Sequence, residues 1–281
     1  MLERGLPGGQ AALTERIENY PGFPEPIAGA ELMNRVHRQA ARFGAEIRNF
    51  EEARVLSRSG NLFSIETDGG TCLGRGLIVA TGSVYRRLGV PGEEGLVGRG
   101  VSFCATCDAP FFQGKPVVVV GGGNSALQET LHLASFASRI TVVQVLDHLT
   151  ASAVLQERVR ALPAVEILLS HRVARILGED GVQGLTLVEA TTGVEKTVDC
   201  EGIFVFIGLV PNNEVLKGFI ELDSAGFVLA DPRTLETSVP GAFAAGDVRA
   251  GSSKQITAAV GEGTVAAFMV QRWLEEQRGG G

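Results

Sequence analysis

The chain has 281 residues, 44% hydrophobic and 20% charged, with 37 glycines and a formal net charge of −7. That length supports two domains with buried cores, and the glycine content fits an α/β protein whose backbone approaches ligands closely. An acidic balance without a basic tract predicts no nucleic-acid or anionic-membrane partner. The best apolar run, Gly202 to Pro211, is too short to cross a bilayer, and Met1-Leu2-Glu3-Arg4 does not open a signal peptide.

In chain order, residues 31–44 read as an amphipathic helix, with Leu32, Val36 and Ala40 on one side and Arg35, Arg38 and Arg42 on others. Alternating apolar residues near Val55 and at Phe63-Ser64-Ile65 predict short antiparallel strands. Leu77-Ile78-Val79-Ala80 reads as a buried strand feeding a turn at Thr81-Gly82. Leu88 to Gly92 reads as a crossover between domains. Val117 to Val120 predicts a buried strand, Gly121 to Ala126 a turn into a helix reaching about Ser135, and Ile140 to Val145 the next strand, so the three form a βαβ unit. Val165 to Leu169 and Ile203 to Ile207 follow as strands, and Gly208 to Pro211 as a second crossover. Phe243 to Asp247 and a long small-residue helix from about Thr257 to Glu275 complete the chain. No repeat of solenoid spacing occurs, and the only low-complexity stretch is the Gly279-Gly280-Gly281 tail.

Three motifs carry chemistry. Cys104-Ala105-Thr106-Cys107 has the spacing of a vicinal dithiol. Zinc would call for a second such pair or a histidine cluster, but His37, His132, His148 and His171 are scattered, so no metal is expected. Inert core cysteines would not need this spacing, and a redox dithiol fits best. Cys72 and Cys200 stand alone and read as small buried hydrophobes, so cysteine usage implies a reducing cytoplasm with one special pair. Asp108 is either a turn-former or a proton donor to the reacting sulfurs. In Gly121-x-Gly123-x-x-Ala126, the first glycine allows the turn, the second lets a pyrophosphate approach, and Ala126 permits close helix–strand packing. The helix amino end, with Asn124 and Ser125, favours an anion. Gly246-Asp247 after an apolar strand is either a simple turn or a carboxylate for a sugar hydroxyl. The helix beyond Gln255 can direct its positive end toward a flavin carbonyl. A dithiol near a dinucleotide turn indicates electron flow from a nicotinamide to a disulfide, usually with a flavin between them.

On Gly8-Gly9-Gln10, Glu18 to Gly22, Ala80-Thr81-Gly82, Cys104 to Asp108, Gly121 to Ala126, Ala244 to Asp247 and Lys254-Gln255-Ile256, in this order, the whole chain resembles the low-molecular-weight thioredoxin reductase family. The flavoprotein component of alkyl hydroperoxide reductase is close kin. The resemblance implies an α/β fold of two Rossmann-like domains. The FAD domain would be discontinuous (1–87 and 209–281), with the nicotinamide domain and its CxxC (88–208) inserted. It implies FAD on Glu3, Gly9, Gln10, Asn19, Thr81, Gly82, Gly246, Asp247, Lys254, Gln255 and Ile256. NADH or NADPH would lie on Gly121, Gly123, Asn124, Ser125, Ala126 and Gln144. It further implies a thioredoxin-like partner, a homodimer, and rotation of one domain so that dithiol and nicotinamide take turns at the flavin. Which cysteine attacks the partner stays open.

Two features depart from the family. The family opens with a strand and a Gly-x-Gly-x-x-Gly turn for the FAD pyrophosphate. This sequence begins at what corresponds to the end of the second strand, with Glu3 at the acid that holds the adenosine ribose. A start codon placed too late is the expected reason, and the 281 residues alone are expected to hold FAD weakly. The second departure is at Gln144 to Thr150, where NADPH users carry arginines and this chain has none, so NADH is expected. The alternatives are an NADH-dependent reductase serving a peroxiredoxin system, and a flavin-free nicotinamide-binding remnant without activity.

Overall fold

Valine-rich runs become buried parallel strands where both sheet faces are covered, and here they build the centre of an inserted unit. A computed structural model describes residues 1–14, 17 and 19–279; Glu18 of the Glu18 to Gly22 motif lies outside the described residues, as do Gly280 and Gly281 of the tail. The chain divides into two units: Met1–Val84 with Val210–Gly281, and Tyr85–Leu209. At the two crossings, Ser83–Tyr85 and Leu209–Pro211 pair as short strands.

In the inserted unit five parallel strands lie in the order Val165–Leu168, Arg139–Val143, Pro116–Val120, Gly202–Val205, Val101–Ser102. The chain leaves Pro116–Val120 toward one side of the sheet, while Gly202–Val205 flanks it on the other. The strand's carboxyl end is therefore a topological switch point, where this architecture opens a crevice for ligands. One face packs against the Asn124–Leu133 helix through Val117, Val119, Leu127 and Leu133. The other face packs through Val118, Val120 and Ile203 against an antiparallel sheet of His171–Leu177, Gly184–Glu189 and Glu195–Asp199. The reading from sequence contained no such sheet.

In the other unit, Ala53–Ser59, Leu62–Thr67 and Gly70–Gly74 form an antiparallel sheet. Leu77–Val79 pairs in parallel with Ala242–Ala244, so the loops after both strands, Thr81-Gly82 and Gly246-Asp247, leave from the same sheet end. Phe63, Val79, Leu216, Val228 and Ala244 form the core beneath them. The expected helix over 31–44 spans Gly29–Arg42, and the C-terminal helix runs longer than expected, Ile256–Gly279. The strand expected to reach Val145 ends at Val143, and the backbone beyond it turns away so that the Gln144 side chain lies in the following loop. No helix among the described residues is long and apolar enough to cross a membrane.

Candidate redox and cofactor sites

Cys104 is the amino cap of the short Ala105–Asp108 helix, which brings Cys107 back over it one turn later. The two are joined as a disulfide with Cα atoms 5.3 Å apart. Cys107 N–H donates to Cys104 Sγ at 3.2 Å, and this contact favours negative charge on that sulfur once the bond opens. Asp108 Oδ2 accepts from Ser102 Oγ at 2.6 Å, and Ser102 Oγ accepts from Cys104 N–H at 3.1 Å. The three candidate catalytic residues thus share one hydrogen-bonded knot, centred on a serine that the sequence reading missed. Cys200 is buried, and burial pushes its thiol up to about 12, so it is inert at neutral pH. Among the described residues no group of His, Cys, Asp and Glu could hold a metal ion.

The dithiol helix packs on the Asn124–Leu133 helix, where Glu129 faces Thr106 Oγ1 at 3.5 Å. Burial raises the Glu129 carboxyl above its ordinary value; His132 and Thr106 offset this only partly. A carboxyl raised in the folded state disfavours folding once it ionises, and the penalty disappears below its unfolded pKa. Glu129→Gln is therefore expected to raise the Tm of the full chain at neutral pH, with the gain shrinking as pH falls toward about 4 and vanishing below it, as the unfolded carboxyl also takes up its proton. Paired thermal melts of the two proteins at both pH values check the sign.

The dinucleotide turn lies at the crevice. Gly121 adopts φ +130°, and a Cβ there would lie 2.3 Å from Phe206 O, so only glycine fits. Ala126, fully buried, packs beneath it. Gly123 precedes the helix that begins at Asn124, and Asn124 Oδ1 accepts from Ser152 N–H at 2.8 Å, while Ser125 is exposed. The cradle and the free amino end of a ten-residue helix suit a pyrophosphate. Gln144 lies against Gly122 with both amide ends engaged, Nε2 on His148 O at 3.3 Å and Oε1 on Val145 N–H at 3.1 Å. These contacts hold the loop where the ribose is expected from the sequence.

In the other unit, Asn19 Nδ2 donates to Gln255 Oε1 at 3.0 Å across the chain's two ends, and Ile256 packs with Ile17, Ile27 and Leu32. Lys254 Nζ donates to Asp247 O at 2.5 Å and Arg249 O at 3.2 Å. Burial raises the Asp247 carboxyl, against the pull of Lys254, and lowers the Lys254 ammonium. Gly246, at φ +77°, donates its N–H to Glu262 Oε2 at 2.7 Å, and Arg249 pairs with the same carboxylate. Arg249 and Gly246 hold Glu262 ionised in spite of its burial. Thr81 is tied to Asn212 by bonds of 2.6 and 2.8 Å, and Gly82 follows at φ +71°. Gly9 and Gln10 open the Gly9–Leu13 helix, and Glu3 Oε1 accepts from Gly5 N–H at 3.0 Å. Ser83 Oγ, just beyond Gly82, is the buried side-chain polar atom without a partner among the described residues. An orphan hydroxyl at this turn, with a half-buried carboxyl on the loop leaving the same sheet end, fits a polar ligand of the FAD kind.

Residues 1–263 match the family described as Pyridine nucleotide-disulphide oxidoreductase. The chain is 42% identical over 278 residues to a thioredoxin reductase of Bacillus subtilis (strain 168), covering 98% of this chain and 87% of that one. It is 41% identical to a bifunctional thioredoxin reductase/thioredoxin of Mycobacterium leprae (strain TN), covering 97% of this chain and 59% of the relative. The crystal structure of thioredoxin reductase from Streptococcus pyogenes MGAS5005 superposes with a TM-score of 0.90 at 37% identity, covering 98% and 89% of the two chains. With its CxxC disulfide, its dinucleotide turn and this likeness along nearly its whole length, the chain belongs to the pyridine nucleotide-disulphide oxidoreductases, among their thioredoxin reductases.

Proposed function

We propose that this chain carries electrons from NADH, by way of FAD, to the Cys104–Cys107 pair and on to the disulfide of a thioredoxin-like protein. The observation that carries this reading is the packing of the disulfide-bearing helix on the helix that the Gly121 turn opens. When bound, FAD would accept a hydride from the nicotinamide and return two electrons to a disulfide. Asn19, Thr81, Asp247, Lys254 and Gln255 would hold it, with Gly9, Gln10, Gly82 and Ile256 shaping the backbone around it. Gly121, Gly123 and Ala126 would leave room for the nicotinamide pyrophosphate at the Asn124 helix.

The dithiol then works by exchange. A Cys104 thiolate, favoured by the Cys107 N–H, attacks one sulfur of the partner disulfide. The partner's S–S bond breaks, and its departing thiolate takes the proton that Cys107 gives up, with the Asp108 carboxylate, next to Cys107 in the chain, as the relay. The deprotonated Cys107 attacks the mixed disulfide and closes the Cys104–Cys107 bond again, releasing the partner's second sulfur as a thiolate. The relative that carries reductase and thioredoxin in one chain supports thioredoxin as the partner. One vicinal disulfide beside two free cysteines supports a reducing cytoplasm, and a homodimer is the assembly proposed. The test supplies the protein with FAD, NADH and oxidised thioredoxin and counts thiols. A thioredoxin dithiol should form for each NADH consumed; consumption without new thiols would contradict the reading.

A further inference from the structure

Ser102 ends the Val101–Ser102 strand at the edge of the parallel sheet, in register with the fully buried Phe204, and is itself 5% exposed. A hydroxyl has one proton to donate. Of its two acceptors, Asp108 Oδ2 at 2.6 Å is much closer than Cys104 O at 3.3 Å, so the carboxylate takes it. The Ser102 Oγ in turn accepts from Cys104 N–H. The sheet therefore fixes where the hydroxyl sits, and the hydroxyl touches the backbone of one redox cysteine and the carboxyl that follows the other.

We propose that Ser102 is a positioning residue for the dithiol: its hydroxyl holds the Asp108 carboxyl and the Cys104 backbone in one arrangement while the S–S bond opens and closes. The inference rests on the reading of Cys104–Cys107 as the exchanging pair. In each exchange one proton goes to the partner's departing thiolate and one leaves the second cysteine. Cys107 immediately precedes Asp108, so the second cysteine gives up its proton beside that carboxylate. A hydrogen bond donated to a carboxylate sets both its direction and its readiness to give up or take a proton. Ser102 governs the two together. Among the described residues, other charged or titratable groups near this turn include Glu129, reaching Thr106 from the Asn124–Leu133 helix, and Tyr85 and Arg87, which stack on the neighbouring Phe103. They are common to every protein compared below.

The test needs neither flavin nor partner. The full chain is reduced with dithiothreitol and freed of it. The alkylation rate of Cys104 and Cys107 by iodoacetamide is then followed by peptide mass across about pH 5 to 10, the range in which thiols titrate. Ser102→Ala should move the midpoint of the profile by about one pH unit, a tenfold change in thiolate at a given pH. Ser102→Thr, which keeps the hydroxyl, should restore the wild-type profile. In an Asp108→Asn background the Ser102→Ala shift should shrink, because the carboxylate through which it acts is gone. Superimposable profiles for wild type and Ser102→Ala, or a shift of equal size in both backgrounds, would overturn the proposal. A reduced wild-type chain that fails to open a thioredoxin disulfide would instead overturn the reading of the pair, whatever Ser102 does.

Discussion

Replacing either Cys104 or Cys107 with serine is expected to reduce thioredoxin turnover to background while leaving NADH-driven flavin reduction largely intact. Hydride transfer to the flavin precedes the disulfide step, so it does not use the pair. A single remaining thiol can form a mixed disulfide but cannot resolve it, so the cycle stops after one event. Cys200→Ser should leave turnover unchanged, because a thiol pushed up to about 12 supplies almost no thiolate near neutral pH. Stopped-flow flavin bleaching by NADH, set beside steady-state thioredoxin reduction, separates the two steps. Either cysteine variant reducing thioredoxin at the wild-type rate would place the redox centre elsewhere.

The second large effect is the choice of nicotinamide. NADH should exceed NADPH in kcat/KM for flavin reduction by about ten- to a hundredfold, since one lost charge-assisted contact to the 2′-phosphate is worth roughly 1.5–3 kcal/mol. The loop after the Arg139–Val143 strand presents Val145, 56% exposed, and Leu146, 43% exposed, where a phosphate would need cations. Two nearby side chains, Arg139 and His148, could have substituted for the absent arginines, and the structure gives both other work. Arg139 begins the strand at the end remote from the crevice and donates to Asp199 O at 3.1 Å. His148 is paired with Asp147 at 2.6 Å, and that pairing holds the Asp147 carboxyl below its ordinary value, so a negative charge stands in the same loop. Val145→Arg with Leu146→Arg should move the ratio toward NADPH. A wild-type NADPH advantage, or no movement in the double variant, would mean that the adenosine ribose lies elsewhere.

The parallel strands were legible because burial on both faces leaves a plain apolar signature, as in Val117 to Val120. The Gly121 turn was legible because its strained φ admits one residue type. The antiparallel sheet from His171 to Asp199 was not. Its first strand shifts register between Val173 and Arg175, which breaks the two-residue alternation, and Glu195–Asp199 buries only Val198. The dithiol was readable from spacing, but its support was not. Ser102 gains meaning only once Asp108 folds back two residues beyond Thr106, and Glu129 looks like any helical glutamate until the dithiol helix packs on it. Gln144 reads from the sequence as a hydrogen-bonding partner for the nucleotide. Its two amide contacts, to His148 O and Val145 N–H, follow from the path of the backbone after Val143, which no local pattern encodes. The Glu262–Arg249 pair joins a helix to a turn, and each residue alone reads as a solvated surface charge.

The claim at the centre of this account is that electrons from NADH open the Cys104–Cys107 bond. The most direct measurement adds NADH in graded amounts, without oxygen, to the FAD-supplied protein, then alkylates and weighs the cysteine peptides. The account predicts that labelling of Cys104 and Cys107 rises together in proportion to NADH, while labelling of Cys72 and Cys200 does not depend on it. A flavin fully reduced by NADH above an intact Cys104–Cys107 disulfide would contradict it.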